Sequence, residues 1–263
     1  MAPPRLLIIA GSDSSGGAGI QADIKTACAF GVYAMTAITA VTAQDTTGVH
    51  AMKLMPPDLV AAQMRACLKD IGADAIKIGM LGSAEIARAV IETLRDHRIG
   101  IPIVLDPVIA SSSGTPLLDD EGIAIVGKEL LPFSTIVTPN LHEGEVLTGL
   151  KCDDLEGVKR AALALTQIGV KSAVIKGGHG SGSTLTDVFV NFGRYTLFEH
   201  PKRQTMHTHG TGCTFSTAIA CAIVGGHVME DAVRQAHAYV QQAITTAPGF
   251  GHGNGPLNHP RLG

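Results

Sequence analysis

In the stretch "THGTGCTFSTAIACAIVGG" (208–226), Cys213 follows Gly210-Thr211-Gly212 and precedes a run of small apolar residues at 214–224. The two glycines permit backbone angles that other residues resist. A glycine turn that feeds a helix points the first N–H groups outward, where they suit an anion. A thiol at that place feels the positive end of the helix dipole, which favours its thiolate. The stretch reads either as an anion cradle with a basic sulfur, or as a structural turn beside an inert buried cysteine.

Other chemistry-bearing residues stand at the ends of short apolar runs. Asp106 closes "IPIVLD", and "TPNLHE" (138–143) supplies Asn140 and Glu143. Their oxygens suit Mg²⁺, a hard cation that keeps several waters. The same Asn-x-x-Glu spacing also makes a helix capping box. Lys176 with Gly177 ends "SAVIKG" and offers a point charge for phosphate, or is a solvated lysine beside an ordinary loop. "GSDSSGGAG" (11–19) is a glycine-rich turn, but it lacks the Gly-Lys-Ser/Thr of a P-loop. It makes a poor dinucleotide fingerprint as well, because Asp23 lies inside the next helix rather than at the end of a second strand. A plain turn with a capped helix is the alternative. The chain has eleven histidines but no HExxH and no Cys/His zinc spacing. His207 and His209 therefore read as structural or substrate-lining.

The elements that must position these residues alternate between strand and helix. "LLIIAGSD" (6–13) is a strand, and "AGIQADIKTACAFG" (18–31) a helix with Ile20, Ile24 and Ala27 on one face. The stretch 37–55 alternates like strand. "PPDLVAAQMRACLKDIG" (56–72) is a helix opened by prolines. Strand "AIKIGML" (75–81) precedes a helix at 83–100, capped by Ser83 and closed near Gly100. "IPIVLDPVI" (101–109) and "STIVTPN" (134–140) are buried strands. A helix at 155–169, a strand at 172–178, a hairpin at 187–200 and a helix at 229–247 complete the order. Such alternation implies an α/β fold, a mostly parallel central sheet with helices on both faces. In such a sheet, ligands collect at the C-terminal strand ends, where these residues lie. The reading is one domain over residues 1–263, with an irregular tail from about residue 248.

Composition sets bounds on function. Hydrophobic residues make up 45% and charged residues 16%, which supports a sizeable core. A net charge of −3 without a basic patch argues against nucleic acid as a partner. Five scattered cysteines, without CxxC, fit a reduced cytoplasmic protein. No apolar run is long enough to suggest a membrane span or signal segment.

The ordered set "AGSDSSGGAGIQADIKT", "TAVTAQDTTGV", "IKIGMLGS", "VLDPV", "TPNLHEGEVLTG", "VIKGGH" and "HGTGCTFSTAIA" closely resembles the hydroxymethylpyrimidine and phosphomethylpyrimidine kinases of thiamine biosynthesis, in the ribokinase-like family. The resemblance covers about residues 5–245. It implies an ATP- and Mg²⁺-dependent kinase that phosphorylates the hydroxymethylpyrimidine and then its monophosphate. By that resemblance, Gly210, Thr211 and Gly212 form the anion hole and Cys213 is the catalytic base. Asp23 and Gln44 hydrogen-bond the aminopyrimidine edge, with Gly11, Met80 and Val108 lining the pocket. Asp106, Asn140 and Glu143 lie near Mg²⁺ and its waters, and Lys176 and Gly177 belong to the ATP loop. Family members are often homodimers.

Two positions depart from the family pattern. Ser112 stands where a lysine is common, and His207 where asparagine is frequent. Pyridoxal, which also carries a ring hydroxymethyl group, is the nearest alternative substrate. A non-catalytic binding domain and a dinucleotide-dependent oxidoreductase are the remaining alternatives. The GTGC motif with Asp106, Asn140 and Glu143 argues against the former, and the first loop against the latter.

Overall fold

The structure is a computed structural model that describes residues 2–97, 100–111, 114–178 and 184–260. Its strands are β1 (Arg5–Asp13), β2 (Tyr33–Asp45), β3 (Gly48–Leu54), β4 (Ala75–Ile78), β5 (Ile103–Leu105), β6 (Ile136–Val137), β7 (Ser172–Gly178), β8 (Thr184–Asn191) and β9 (Arg194–Pro201). The helices are α1 (Gly19–Ala29), α2 (Pro57–Asp70), α3 (Ala84–Asp96), α4 (Asp120–Ile125), α5 (Leu141–Thr148), α6 (Leu155–Ile168), α7 (Thr211–Val224) and α8 (Met229–Thr245).

The strands form one nine-stranded sheet in the order β3-β2-β1-β4-β5-β6-β7-β8-β9. The central run from β2 to β7 is parallel, while β3, β8 and β9 are added antiparallel. The apolar run Leu6, Leu7, Ile8, Ile9 is fully buried because helices cover both faces. Leu7 and Ile9 join a core with α2, α3 and α6, while Leu6 and Ile8 face α1, α7 and α8. Each such side chain contributes about 1.5–3 kcal/mol of burial. The crossovers reverse direction between β1 and β4, which opens a crevice at the C-terminal strand ends.

Local chemistry sets the helix ends. Ser83 accepts a hydrogen bond from the Ile86 N–H and starts α3, which stops at Asp96, short of Gly100. Asn140 and Glu143 form a complete capping box on α5. Residues 120–133 fold as α4, a π-turn and a 3-10 turn.

On α1 the buried face is not the expected one. Ile20 and Ala27 are buried, but Ile24 is 36% exposed, and Asp23 and Thr26 point inward instead. The tail is irregular yet tied down. Asn254 N–H donates to the Thr46 carbonyl (2.7 Å), and His209 N–H donates to the Gly255 carbonyl (3.1 Å). Among the described residues no helix is long and apolar enough to cross a membrane.

Candidate active site

A cavity of about 550 Å³ lies along the C-terminal ends of β1, β5 and β7 and the N-terminus of α7. Gly210 is the N-cap of α7, with φ of +84°. A Cβ there would collide with the Gly17 carbonyl, so glycine is required on both counts. At Gly212, a Cβ would stand 3.2 Å from Lys176 Nζ and 3.5 Å from Asp106 Oδ2. The bare helix end therefore meets a cation and a carboxylate across a short gap.

Lys176 Nζ approaches Asp106 Oδ1 at 3.3 Å, and Ser216 Oγ and Thr138 Oγ1 reach the same carboxylate at 3.4 and 3.3 Å. These are long contacts, which leave bonding capacity on both partners. Burial works against the Lys176 ammonium, but Asp106 and Glu143 outweigh it and hold its pKa above the ordinary lysine value. Burial pushes the Glu143 carboxyl up to about 7; Lys176 draws it down and Asp106 raises it further. Glu143 Oε2 accepts from the Asn140 N–H (2.8 Å), and Asn140 Oδ1 accepts from the Glu143 N–H (2.9 Å). The capping reading of this pair is thus realised, and both residues still line the cavity.

Cys213 also lines the cavity. Burial pushes its thiol up to about 12, against the pull of Lys77. This corrects the thiolate expected from the helix dipole. Desolvation at an enclosed helix end outweighs the dipole, and the resting sulfur is a thiol.

Asp23 is the second correction. It is completely buried and does not reach the cavity wall. Lys77 Nζ donates to both of its oxygens at 3.0 and 2.9 Å, and Thr217 Oγ1 donates at 2.7 Å. Its bonding capacity is spent inside the protein. A pyrimidine-binding role for Asp23 does not survive this geometry. Lys77 was readable as a charge inside an otherwise apolar strand, which must be paired.

At the β1 end, Asp13 stands on the cavity wall instead. Asp13 Oδ2 accepts from His209 Nε2 and the Ala18 N–H, each at 2.8 Å. Burial opposes the Asp13 charge, but these bonds and those from Ser15 outweigh it and hold the carboxyl below its ordinary pKa. The Gln44 amide lies 3.3 Å from the same His209 nitrogen. That nitrogen gives its proton to the carboxylate, so the Gln44 amide keeps hydrogen-bonding capacity for a ligand. Gly11, Gln44, Met80 and Val108 line this end. Gly177 lines the opposite end, where Leu185, Asp187, His237, Val240 and Ile244 add a wall from β8 and α8. Sequence reasoning missed that wall, because hairpin and helix carry no local mark of it. Ser112 and residues 179–183 lie outside the described residues. His207 is described: its N–H donates to Thr205 Oγ1 (3.0 Å) within the loop that leads to α7.

The architecture is that of the ribokinase-like small-molecule kinases. It superposes on a crystal structure of phosphomethylpyrimidine kinase from Clostridium difficile with TM-score 0.81 and 38% identity, covering 92% of this chain and 99% of that one. It superposes on the ADP complex of Bacillus subtilis pyridoxal kinase with TM-score 0.90 and 32% identity, covering 99% and 98%. A hydroxymethylpyrimidine/phosphomethylpyrimidine kinase from Streptomyces coelicolor is 44% identical over 257 residues, 98% of this chain and 94% of that protein. The family described as Phosphomethylpyrimidine kinase matches residues 13–258. The chain belongs to this family of phosphotransferases.

Proposed function

We propose that this enzyme transfers the γ-phosphoryl group of ATP to the hydroxymethyl oxygen of 4-amino-5-hydroxymethyl-2-methylpyrimidine, and then a second phosphoryl group to the monophosphate. The observation that carries the reading is the convergence of the Gly210-Thr211-Gly212-Cys213 helix end with Lys176 and Asp106 in one cavity. That cavity has one end at Gln44 and the other at Leu185 and Ile244. The pyrimidine takes the Gln44 end, with Gly11, Met80 and Val108 against its ring. ATP takes the other, with Lys176 and Gly177 against its phosphates.

Phosphoryl transfer is mainly positioning and electrostatic stabilisation. The first-turn N–H groups of α7 and the Lys176 ammonium hold the transferring group, while the substrate oxygen attacks in line from the Gln44 side. The hydroxyl proton leaves late in a loose transition state, so a base is worth about 10²–10⁴-fold. Cys213 is the group placed to receive it as the thiolate: the resting thiol first loses its proton to solvent, the Lys77 charge behind the sulfur favours the thiolate so formed, and uptake of the hydroxyl proton restores the thiol. Asp106 and Glu143 fit the magnesium of the nucleotide: both are hard oxygen donors on the cavity wall, and a cation relieves the burial that pushes Glu143 up. A magnesium ion held by these two carboxylates would neutralise charge on the phosphates. Asn140 holds the Glu143 carboxylate in place through the cap.

Pyridoxal is the second substrate to test, because the pyridoxal kinase superposes at TM-score 0.90. A cytoplasmic homodimer belongs to the same reading, and light scattering on the purified chain tests its assembly state. The deciding experiment is the mass of the products formed with Mg·ATP from hydroxymethylpyrimidine, with pyridoxal in parallel. A pyrimidine diphosphate is the expected result. Monophosphate alone removes the second step. Turnover of pyridoxal only moves the enzyme to vitamin B6 chemistry, and no product from either overturns the reading.

A further inference from the structure

Strands β8 and β9 and helix α8 bring together Asp187, His200 and His237. One ligand atom from each lies within 4.8 Å of the others. Asp187 is anchored: its Oδ1 accepts from the Gly177 N–H at 2.6 Å. Its Oδ2 faces His237 Nε2 at 3.4 Å, outside hydrogen-bond geometry. His237 Nε2 and His200 Nδ1 are both buried and lack a hydrogen-bond partner among the described residues. A buried imidazole nitrogen left without a partner calls for an explanation.

A proton does not supply it. His237 is packed between Phe198 and Phe215, with ring centroids 5.0 and 4.8 Å away. Burial, with His200 and Arg234 adding to it, pushes the His237 pKa down to about 3. Burial also raises the Asp187 pKa, while the Gly177 N–H, His200 and Lys176 draw it back. Two imidazoles and a carboxylate around one point make a donor set for a borderline-soft divalent ion.

We propose that Asp187, His200 and His237 bind one divalent transition-metal ion of the zinc class. The ligand atoms must close by about an ångström, since metal–nitrogen bonds run about 2.0–2.1 Å. His200 supplies that movement from the outermost strand β9, while Phe198 and Phe215 hold His237. All three residues line the cavity, so a remaining coordination position opens to water or a ligand. The nitrogen-rich set separates this site from the all-oxygen pair Asp106 and Glu143, which suits magnesium. No sequence spacing announces it, because the three ligands come from three different elements.

The test uses the full chain, stripped with a chelator and titrated with Zn²⁺ by calorimetry and with Co²⁺ by visible absorption. One equivalent with ligand-field bands of four- or five-coordinate cobalt is expected, and excess Mg²⁺ leaves it in place. His200→Asn, Asp187→Asn and His237→Ala are each expected to weaken binding at least about 10-fold. His207→Ala and Cys213→Ser are expected to leave the spectrum unchanged. Circular dichroism checks folding; if His237→Ala misfolds, His200→Asn on the outermost strand carries the test. Absence of a saturable single equivalent overturns the proposal. So does binding that persists in all three variants, or a cobalt spectrum lost in Cys213→Ser. The readout is metal binding, so it stands or falls separately from the phosphotransfer reading.

Discussion

Lys77–Asp23 and Lys176–Asp106 are the same chemical pair in two settings. The first is fully enclosed, with both Asp23 oxygens taken by Lys77 at 2.9–3.0 Å and a third bond from Thr217. The second sits at the cavity wall at 3.3 Å, and its other partners reach Asp106 only at 3.3–3.4 Å. A saturated pair has nothing left to offer a ligand, so its work is internal. An unsaturated pair keeps donors and acceptors for what enters the cavity. Unspent bonding capacity, rather than residue type, separates the reactive lysine–aspartate pair from the internal one.

The comparison can be broken most severely at the enclosed pair. Lys77→Met leaves the Asp23 carboxylate buried and unpaired, and urea unfolding should show a loss of about 3–5 kcal/mol. Adding Asp23→Asn should recover most of it, and the double variant should leave the KM for the pyrimidine unchanged. A raised KM there would return Asp23 to the substrate site.

At the open pair, Lys176→Met should lower kcat by about 10²–10³-fold with little change in stability. A stability loss as large as that of Lys77→Met would erase the distinction. Cys213→Ala should lower kcat by about 10²-fold or more, and near-normal turnover would remove it as the proton acceptor. Gln44→Ala should raise the pyrimidine KM by about 10-fold, the worth of one hydrogen bond.

The smallest effect is a pH slope. Between its ordinary value of 4.5 and about 7, the buried Glu143 carboxyl holds a proton that the unfolded chain has lost. The folded state binds more protons in that window, so stability falls as pH rises through it. Glu143→Gln keeps the oxygen that caps α5, and should flatten that slope in melts recorded from pH 4.5 to 7.

Much of the site was legible in the sequence. Gly210, Gly212 and Cys213 are marked by a local pattern, because turn chemistry and helix starts depend on near neighbours. Asp106, Asn140 and Lys176 are marked as polar residues that end apolar strands. Asp23 was misread because the direction of one helix face decides whether a carboxylate meets a ligand or a lysine. Ile24 and Asp23 are adjacent, and a rotation of α1 exchanges which of them is buried. The Asp13–His209 contact spans 196 positions, beyond the reach of any periodicity.

What the sequence determined by itself was the alternation of strands and helices, and so a parallel sheet with ligand groups at its C-terminal edge. Hydrophobic spacing and turn residues act within a few positions, and those rules are local. Only the tertiary structure decided which charges pair and which stay open. Asp23 meets Lys77 across 54 positions and Thr217 across 194, and Asp187, His200 and His237 converge from three elements. Those choices depend on side-chain direction and on how one element packs against another, which is settled when the whole core closes.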